Sequence, residues 1–155
     1  MLEVAALSVD SPIPFGTSLK NISFAVRRGE ILGIAGVAGN GQDELLLALS
    51  GELRSSPEMV KTFDTPVGAL GPNDRRKLGF VAAPEDRLGH AAAPDMSLVE
   101  NALLSGDVRM ELTKNGFIDW AKTRAWAERI VEQYDVRTPG TWVAARALSG
   151  GNLQK

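Results

Sequence analysis

The sequence predicts an α/β fold in which a parallel core sheet carries an antiparallel β flap and is followed by a helical subdomain. Three observations predict it: apolar residues alternate over 22–26, a glycine-rich stretch joins an apolar run to a helix-forming segment over 31–49, and helical patterns follow from residue 97. With 155 residues, of which 44% are hydrophobic, the chain has enough apolar material for a real core.

Composition excludes several functional classes. The 17 basic and 19 acidic residues leave a net charge of −2, so no basic excess favours nucleic acid or an anionic bilayer. The absence of cysteine excludes disulfides and a cysteine nucleophile, and it fits a reducing compartment. No window approaches the roughly 20 apolar residues that a membrane span needs, and the N-terminal residues lack the order of a secretion signal. We therefore expect a soluble, cytoplasmic chain.

The strands are predicted from two kinds of apolar pattern. Alternation is weak over 2–8 and clear over 22–26, which predicts two strands that form the antiparallel flap. Residues 31–35 are a continuous apolar run, typical of a central strand buried on both faces of a parallel sheet. A second such strand is predicted over 78–83.

Three helices are predicted from their sequence signals. Residues 42–49 favour a helix that Gly51 ends. Ser97 and Glu100 have the spacing of a capping box that begins another helix. Over 119–134, Trp126, Ile130 and Tyr134 fall on one side at helical spacing.

Glycines between a strand and a helix start let consecutive backbone amides surround one concavity, where the helix dipole favours phosphate. Against the phosphate-loop pattern, Gly36 and Gly41 match, whereas Gln42 replaces the lysine and Asp43 the hydroxyl residue. A lost charge-assisted hydrogen bond costs about 1.5–3 kcal/mol, roughly ten- to hundredfold in affinity. We therefore predict weak nucleotide binding at best; a glycine-rich turn without a ligand is the alternative.

The chain ends in a more specific motif. Leu148-Ser149-Gly150-Gly151 is followed by Asn152 and resembles the LSGGQ signature of ATP-binding cassette (ABC) proteins, with Asn in place of Gln. Physically it is a helix start with a serine and two unhindered amides, suited to a phosphate. An ordinary serine-capped helix start is the alternative.

The rest of the chain resembles this family in motif order. Residues 28–31, 36–42, 84–87, 97–101 and 148–155 are similar to the second of two fused cassettes in simple-sugar and nucleoside importers. The resemblance implies a cassette truncated after its signature, of the phosphate-loop NTPase class. Its parts would be a core subdomain over 1–85, a helical subdomain over 86–147, and the signature with the start of its helix over 148–155.

The resemblance also implies the site residues. In the family, ATP lies between the phosphate loop of one cassette and the signature of another. The candidate nucleotide-binding residues are therefore Gly36, Gly39, Asn40, Gly41, Gln42, Asp43, Glu85, Ser149, Gly150 and Gly151. Glu85 takes the Q-loop position, and Asp43 is a candidate ligand for magnesium lying between its carboxylate and the phosphates.

No catalytic residue is predicted within the chain. The Walker B Asp-Glu pair and the switch histidine of a cassette normally follow the signature. The apolar run before Glu85 imitates a Walker B strand, but Pro84 interrupts it. We therefore expect no ATP turnover by the chain alone.

The aromatic residues and the single histidine receive structural interpretations. Phe15 is predicted as a buried core aromatic rather than an adenine-stacking residue. The tryptophans at 120, 126 and 142 are predicted to pack within the helical subdomain. His90 is predicted to be a loop residue.

The resemblance implies an ATP-binding importer subunit at the cytoplasmic face of the membrane. Its partners would be a second cassette and permease subunits, and its cofactors ATP and Mg²⁺, weak or absent at its own site. Because the later strands of a cassette follow the signature, the apolar face at 31–35 would lack neighbours, and we expect exposed apolar surface, self-association or strand exchange. A docking module that binds membrane subunits through 84–100 without nucleotide is the alternative. A phosphate-loop kinase or GTPase is disfavoured because it needs the lysine. The main hypothesis requires 36–43 to join a central strand to a helix.

Overall fold

The computed structural model describes residues 1–12 and 14–155, and at residue 108 the backbone alone. The predicted loop over 11–16 is therefore described except at residue 13. The chain divides into two compact units, Met1–Ala82 and Ala83–Lys155. In the described part of the chain, no helix has both the length and the apolar character that crossing a membrane requires.

The first unit is built on an antiparallel sheet with strand order β2-β1-β3-β4. Strand β1 pairs with β2 on one side and β3 on the other, so that Leu2 lies opposite both Val26 and Thr62. The predicted antiparallel flap is confirmed. The regular elements of this unit are β1 (Leu2–Val9), β2 (Leu19–Val26), α1 (Gln42–Ser50), a 3₁₀ turn (Pro57–Met59), β3 (Val60–Thr62), β4 (Thr65–Pro66) and α2 (Pro72–Lys77).

The core of the first unit joins this sheet to α1. Val4 and Leu7 of β1 are buried together with Leu45 and Ala48 of the helix. Gly51 ends α1 in the left-handed conformation, with φ of 91°, and its N–H donates to the Leu47 carbonyl oxygen at 3.1 Å. The predicted helix and its glycine stop are confirmed.

The combination of helices and sheet confirms the predicted α/β class, whereas the predicted parallel core sheet was wrong. Among the described residues, neither 31–35 nor 78–83 forms a strand, and no backbone hydrogen bond joins 31–36 to another residue. Ile31 is 95% exposed and Ile34 is 53% exposed. A buried strand needs neighbours on both edges to pair its amides and carbonyls, and no described segment supplies them. The glycine turn thus leads into the expected helix but does not follow a strand, so the requirement that 36–43 join a central strand to a helix is not met. The predicted exposed apolar surface is confirmed.

The second unit is mainly helical. Its regular elements are α3 (Leu98–Met110), β5 (Thr113–Lys114), β6 (Phe117–Ile118), α4 (Trp120–Gln133), a 3₁₀ turn (Ala145–Ala147) and α5 (Gly150–Gln154). The hairpin β5–β6 turns at Asn115-Gly116, whose φ values of 53° and 82° suit the tight turns that such a pair favours.

Helices α3 and α4 pack closely because Gly106 lacks a side chain. A Cβ atom at Gly106 would lie 2.9 Å from Nε1 of Trp126. Ala102 and Ala127 are also buried, on α3 and α4 respectively. The predicted α4 and the packing role of Trp126 are confirmed.

Several predicted aromatic positions were wrong. Phe15 is fully exposed and has φ of 66°, so it does not reach the core. Tyr134, the last residue of the predicted helix, is the C-cap residue that follows α4 and is 52% exposed. Trp120 is 48% exposed and Trp142 73% exposed, the latter lying over Gly140. His90 is an exposed turn residue, as predicted.

Candidate functional site

The glycine turn over 36–41 immediately precedes α1. Gly39 and Gly41 have φ values of 86° and 97°, in the left-handed region that side chains rarely adopt. Gly41 is the N-cap residue, and its carbonyl oxygen accepts from the Leu45 N–H at 2.9 Å. The predicted turn therefore forms and ends at a helix start, where the dipole favours an anion.

The loop between β1 and β2 braces this turn through Glu44. Oε1 of Glu44 accepts from the Thr17 backbone N–H at 3.0 Å and from the Ser11 hydroxyl at 3.1 Å. The Thr17 hydroxyl donates to the Gly39 carbonyl oxygen at 2.8 Å. Hydrogen bonds from the Glu44 amide and then the Thr17 amide lower the pKa of Glu44, against the opposing effect of burial. The turn is thus fixed from outside by a buried carboxylate.

The Gln42 side chain fixes the same turn from inside. Its Nε2 donates to the Val37 carbonyl oxygen at 3.0 Å, and its Oε1 accepts from the Asn40 N–H at 3.1 Å. A Cβ atom at Gly36 would collide with Nε2 of Gln42. The first residue of α1 therefore folds back into the turn that precedes it.

Asp43 follows Gln42 on the exposed side of the helix start. Within residues 1–12 and 14–155, no group of three or more His, Cys, Asp or Glu side chains could hold a metal ion. A magnesium ion at Asp43 would therefore need most of its oxygen ligands from a bound phosphate or from water.

In the second unit, Pro84-Glu85-Asp86-Arg87 leads into a tight turn. The Ala91 and Ala92 N–H groups donate to the carbonyl oxygens of Asp86 and Arg87, each at 3.0 Å. Glu85 is exposed. A Cβ atom at Gly150 would lie 2.5 Å from Nη1 of Arg87, so the glycine makes room for the guanidinium. The Q-loop candidate segment thus reaches the start of the signature helix.

Ser149 is the N-cap residue of α5, but its side chain makes no cap hydrogen bond. Its hydroxyl instead accepts from Nδ2 of Asn152 at 3.1 Å. Oδ1 of Asn152 accepts from the Arg137 N–H at 3.0 Å, which ties the signature to the loop after α4. Ser149, Gly150 and Gly151 are exposed.

The predicted site residues fall into two groups. The group over 36–43 lies in the first unit, whereas Glu85 and the signature residues lie in the second. Sequence reasoning missed Thr17, Glu44 and Arg87 as residues that contact these groups. An acidic residue in the first helical turn was a signal that could have identified Glu44. Contacts made by Thr17 and Arg87 depend on long-range packing and had no such signal.

The glycine turn that opens α1 and the helix start of sequence Leu-Ser-Gly-Gly are the two features by which the chain resembles a cassette protein. Residues 19–155 match the family described as ABC transporter. This match covers most of the chain, and the chain belongs to the ABC transporter family.

Curated relatives come from ABC importers. The chain is 36% identical over 137 residues to the nucleoside import ATP-binding protein NupA of Lactococcus lactis, which covers 88% of the chain and 27% of the relative. It is 35% identical over 138 residues to the guanosine import ATP-binding protein NupO of Bacillus subtilis, a match that covers 89% of the chain and 27% of the relative. A ribose import ATP-binding protein, RbsA 1 of Rubrobacter xylanophilus, is 36% identical over 137 residues, covering 88% and 27%. The chain thus spans about a quarter of the length of these relatives.

ABC ATPase domains as a class bind ATP and Mg²⁺, so the residues over 36–43 can be tested against a phosphate. The turn offers backbone amides, but the Asn40 N–H already donates to Gln42 and the Gln42 carboxamide lies where Gly36 leaves room. Gln42 brings no positive charge. In this arrangement the Gln42 carboxamide must move before the Asn40 amide can donate to a nucleotide phosphate.

Proposed function

We propose that this chain is part of the ATP-binding subunit of an ABC importer for a sugar or a nucleoside. The names of its relatives support this, since they import nucleoside, guanosine and ribose at 35–36% identity to the chain. Its partners would be a second cassette and the membrane-spanning permease subunits, at the cytoplasmic face of the membrane. The proposed transported substrate is therefore a sugar or a nucleoside.

Within such an importer, we assign the chain an asymmetric role. Its own phosphate loop is the weak site, and Ser149, Gly150 and Gly151 complete the ATP site of the partner cassette. The observation that carries this role is Gln42, a neutral amide folded into the loop where the phosphate-loop pattern has a lysine. The carboxylate of Asp43 adds repulsion unless magnesium lies between it and the phosphates.

The proposed organisation is a core subdomain over 1–85, a helical subdomain over 86–147 and the signature over 148–155, with Glu85 coupling nucleotide to the membrane subunits. Pro84 interrupts the only Walker B-like segment in the sequence. Without an Asp-Glu pair to hold magnesium and position water, the chain alone is expected to hydrolyse no measurable ATP.

An NMR titration tests the weak site. MgATP added to the labelled chain is expected to shift the amides over 36–43 with a dissociation constant of about 1 mM or weaker. The double variant Gln42→Lys, Asp43→Thr restores the cation and the hydroxyl, and it is expected to bind about ten- to hundredfold more tightly. Micromolar binding by the unaltered chain would contradict the assignment of a weak site.

A second candidate is a docking module that binds no nucleotide. The exposure of Glu85, Asp86 and Arg87 favours this candidate, because an exposed charged turn is available to a membrane subunit. It predicts that MgATP shifts no amide over 36–43 in either protein. Shifts in the double variant alone would instead support a nucleotide site that Gln42 and Asp43 have weakened.

A further inference from the structure

The position of the Gln42 side chain distinguishes two ways of losing nucleotide affinity. A glutamine that simply lacks charge would leave the loop open and bind phosphate through its Nε2 hydrogens. In this chain both ends of the carboxamide already have partners: Nε2 donates to the Val37 carbonyl oxygen at 3.0 Å and Oε1 accepts from the Asn40 N–H at 3.1 Å. The side chain bridges two residues of its own loop.

Gly36 leaves room for the Gln42 carboxamide. A Cβ atom at that position would collide with Nε2 of Gln42, so the carboxamide occupies the space that the missing side chain leaves. The loop is also held from outside, because the Thr17 hydroxyl donates to the Gly39 carbonyl oxygen at 2.8 Å. The turn therefore keeps its form by contacts within the protein.

A phosphate would have to compete for the same donor. The Asn40 N–H carries one hydrogen, and Oε1 of Gln42 already accepts it. A phosphate oxygen that uses this amide must displace Oε1, and moving the side chain also breaks the bond to Val37. Two neutral hydrogen bonds lost together correspond to roughly ten- to hundredfold in affinity.

We infer that the Gln42 side chain binds within its own phosphate loop and thereby excludes phosphate groups from the loop amides. This inference rests on the proposed function, since it concerns the same nucleotide site. It goes beyond the proposed function in one respect: the loop loses affinity because Gln42 competes with phosphate, and not only because the lysine charge is missing. The two views predict opposite effects when the side chain is removed.

The test compares pyrophosphate and MgATP binding by the unaltered chain and by Gln42→Ala, followed through the Gly39, Asn40 and Gly41 amides. If Gln42 excludes phosphate, Gln42→Ala binds roughly tenfold more tightly, although it has one donor fewer. Equal or weaker binding by Gln42→Ala would overturn the inference. Pyrophosphate reports the loop alone, whereas MgATP also reports contacts to the base and sugar.

Two further variants sharpen the result. Gln42→Met has similar length and no amide, so an affinity like that of Gln42→Ala assigns the exclusion to the hydrogen bonds. Asp43→Asn removes the neighbouring charge, and its effect is expected to fade with salt while that of Gln42→Ala does not. Alanine is the best helix former, so Gln42→Ala should retain α1, which circular dichroism checks.

Amide exchange supplies an independent readout. The Asn40 amide is expected to exchange more slowly in the unaltered chain than in Gln42→Ala, while amides in β1 stay unchanged. If Gln42→Lys, Asp43→Thr binds but Gln42→Ala gains nothing, the inference fails and the proposed function stands. If no variant binds pyrophosphate or MgATP, both fail.

Discussion

Nη1 of Arg75 lies 2.7 Å from the carbonyl oxygen of Ala48 in the last turn of α1. The same nitrogen donates to the Leu49 oxygen at 2.6 Å, while Nε and Nη2 donate to Leu70 and Gly68 at 3.1 and 3.0 Å. Arg75 is 1% exposed. Burial lowers the pKa of Arg75, yet an arginine keeps its proton at neutral pH. One buried cation thus joins the end of α1 to the segment that precedes α2.

Replacing Arg75 should destabilise the first unit more than any surface change. Arg75→Met removes the donor that Arg75 supplies to the carbonyls of Ala48, Leu49 and Leu70, and it should lower the free energy of unfolding by about 3–5 kcal/mol. Arg75→Lys keeps the charge but not the planar fork, so we expect a loss of about 2 kcal/mol.

The effect of replacing Arg75 must be measured with a probe that reports unfolding of the first unit. All three tryptophans and the single tyrosine lie at or beyond residue 120, so fluorescence reports only the second unit. Amide exchange in α1 and urea unfolding by far-UV circular dichroism are suitable. Arg76→Met is the matched control, because Arg76 is exposed beside Arg75; equal losses for Met at 75 and 76 would refute the role of the buried guanidinium.

The buried Glu44 predicts a specific acid sensitivity. Its pKa lies below its usual value of 4.5, chiefly because its own backbone amide and then that of Thr17 donate to it. A folded pKa lower than the unfolded one means that Glu44 adds stability above about pH 4.5. This stability is lost as the pH falls below 4.5 through the folded pKa.

Glu44→Gln should therefore lower stability at pH 7 and flatten the pH dependence below pH 4.5. Thermal unfolding followed by circular dichroism between pH 7 and about pH 3 measures both effects. Asp10→Asn is the control, since Asp10 is exposed in the same unit. A pH profile of Glu44→Gln parallel to that of the unaltered chain would show that Glu44 does not carry the effect.

The capping box of α3 gives a prediction for the second unit. The Glu100 N–H donates to Oγ of Ser97 at 3.2 Å, and Oε2 of Glu100 accepts from the Ser97 N–H at 2.7 Å. Ser97→Ala should cost about 1 kcal/mol, measured by urea unfolding with tryptophan fluorescence. Ser105→Ala, on the exposed face of the same helix, should change stability by less than about 0.5 kcal/mol.

The exposed segment over 31–37 predicts self-association. Ile31 is 95% exposed, Val37 76% and Ile34 53%, so unpaired backbone and apolar side chains are available to a second copy. Ile31→Lys with Ile34→Lys should weaken association by at least about tenfold in sedimentation analysis. Phe117→Lys, at an exposed residue of the second unit, is the control; unchanged association in the double variant would locate the contact elsewhere.

Predictions that depended on neighbouring residues were confirmed. The stop at Gly51, the capping box at Ser97 and the glycine turn before Gln42 all form as predicted, because each requires partners within a few positions. The prediction at 31–35 was wrong because it depended on partners far away in the sequence. An apolar run predicts a buried strand only when other segments pair with it, and its own composition does not reveal their presence.

The amino-acid sequence determined the local chemistry of this ABC family chain: a glycine turn with glutamine in place of lysine, and a serine-glycine helix start. Only the tertiary structure decided that the Thr17 hydroxyl donates to a carbonyl 22 residues away, and that Arg75 donates to a carbonyl 27 residues away. Caps and turns depend on the backbone geometry of a few consecutive residues, and the local sequence determines that geometry. The partner of a long side chain depends on which distant groups packing brings within hydrogen-bond distance.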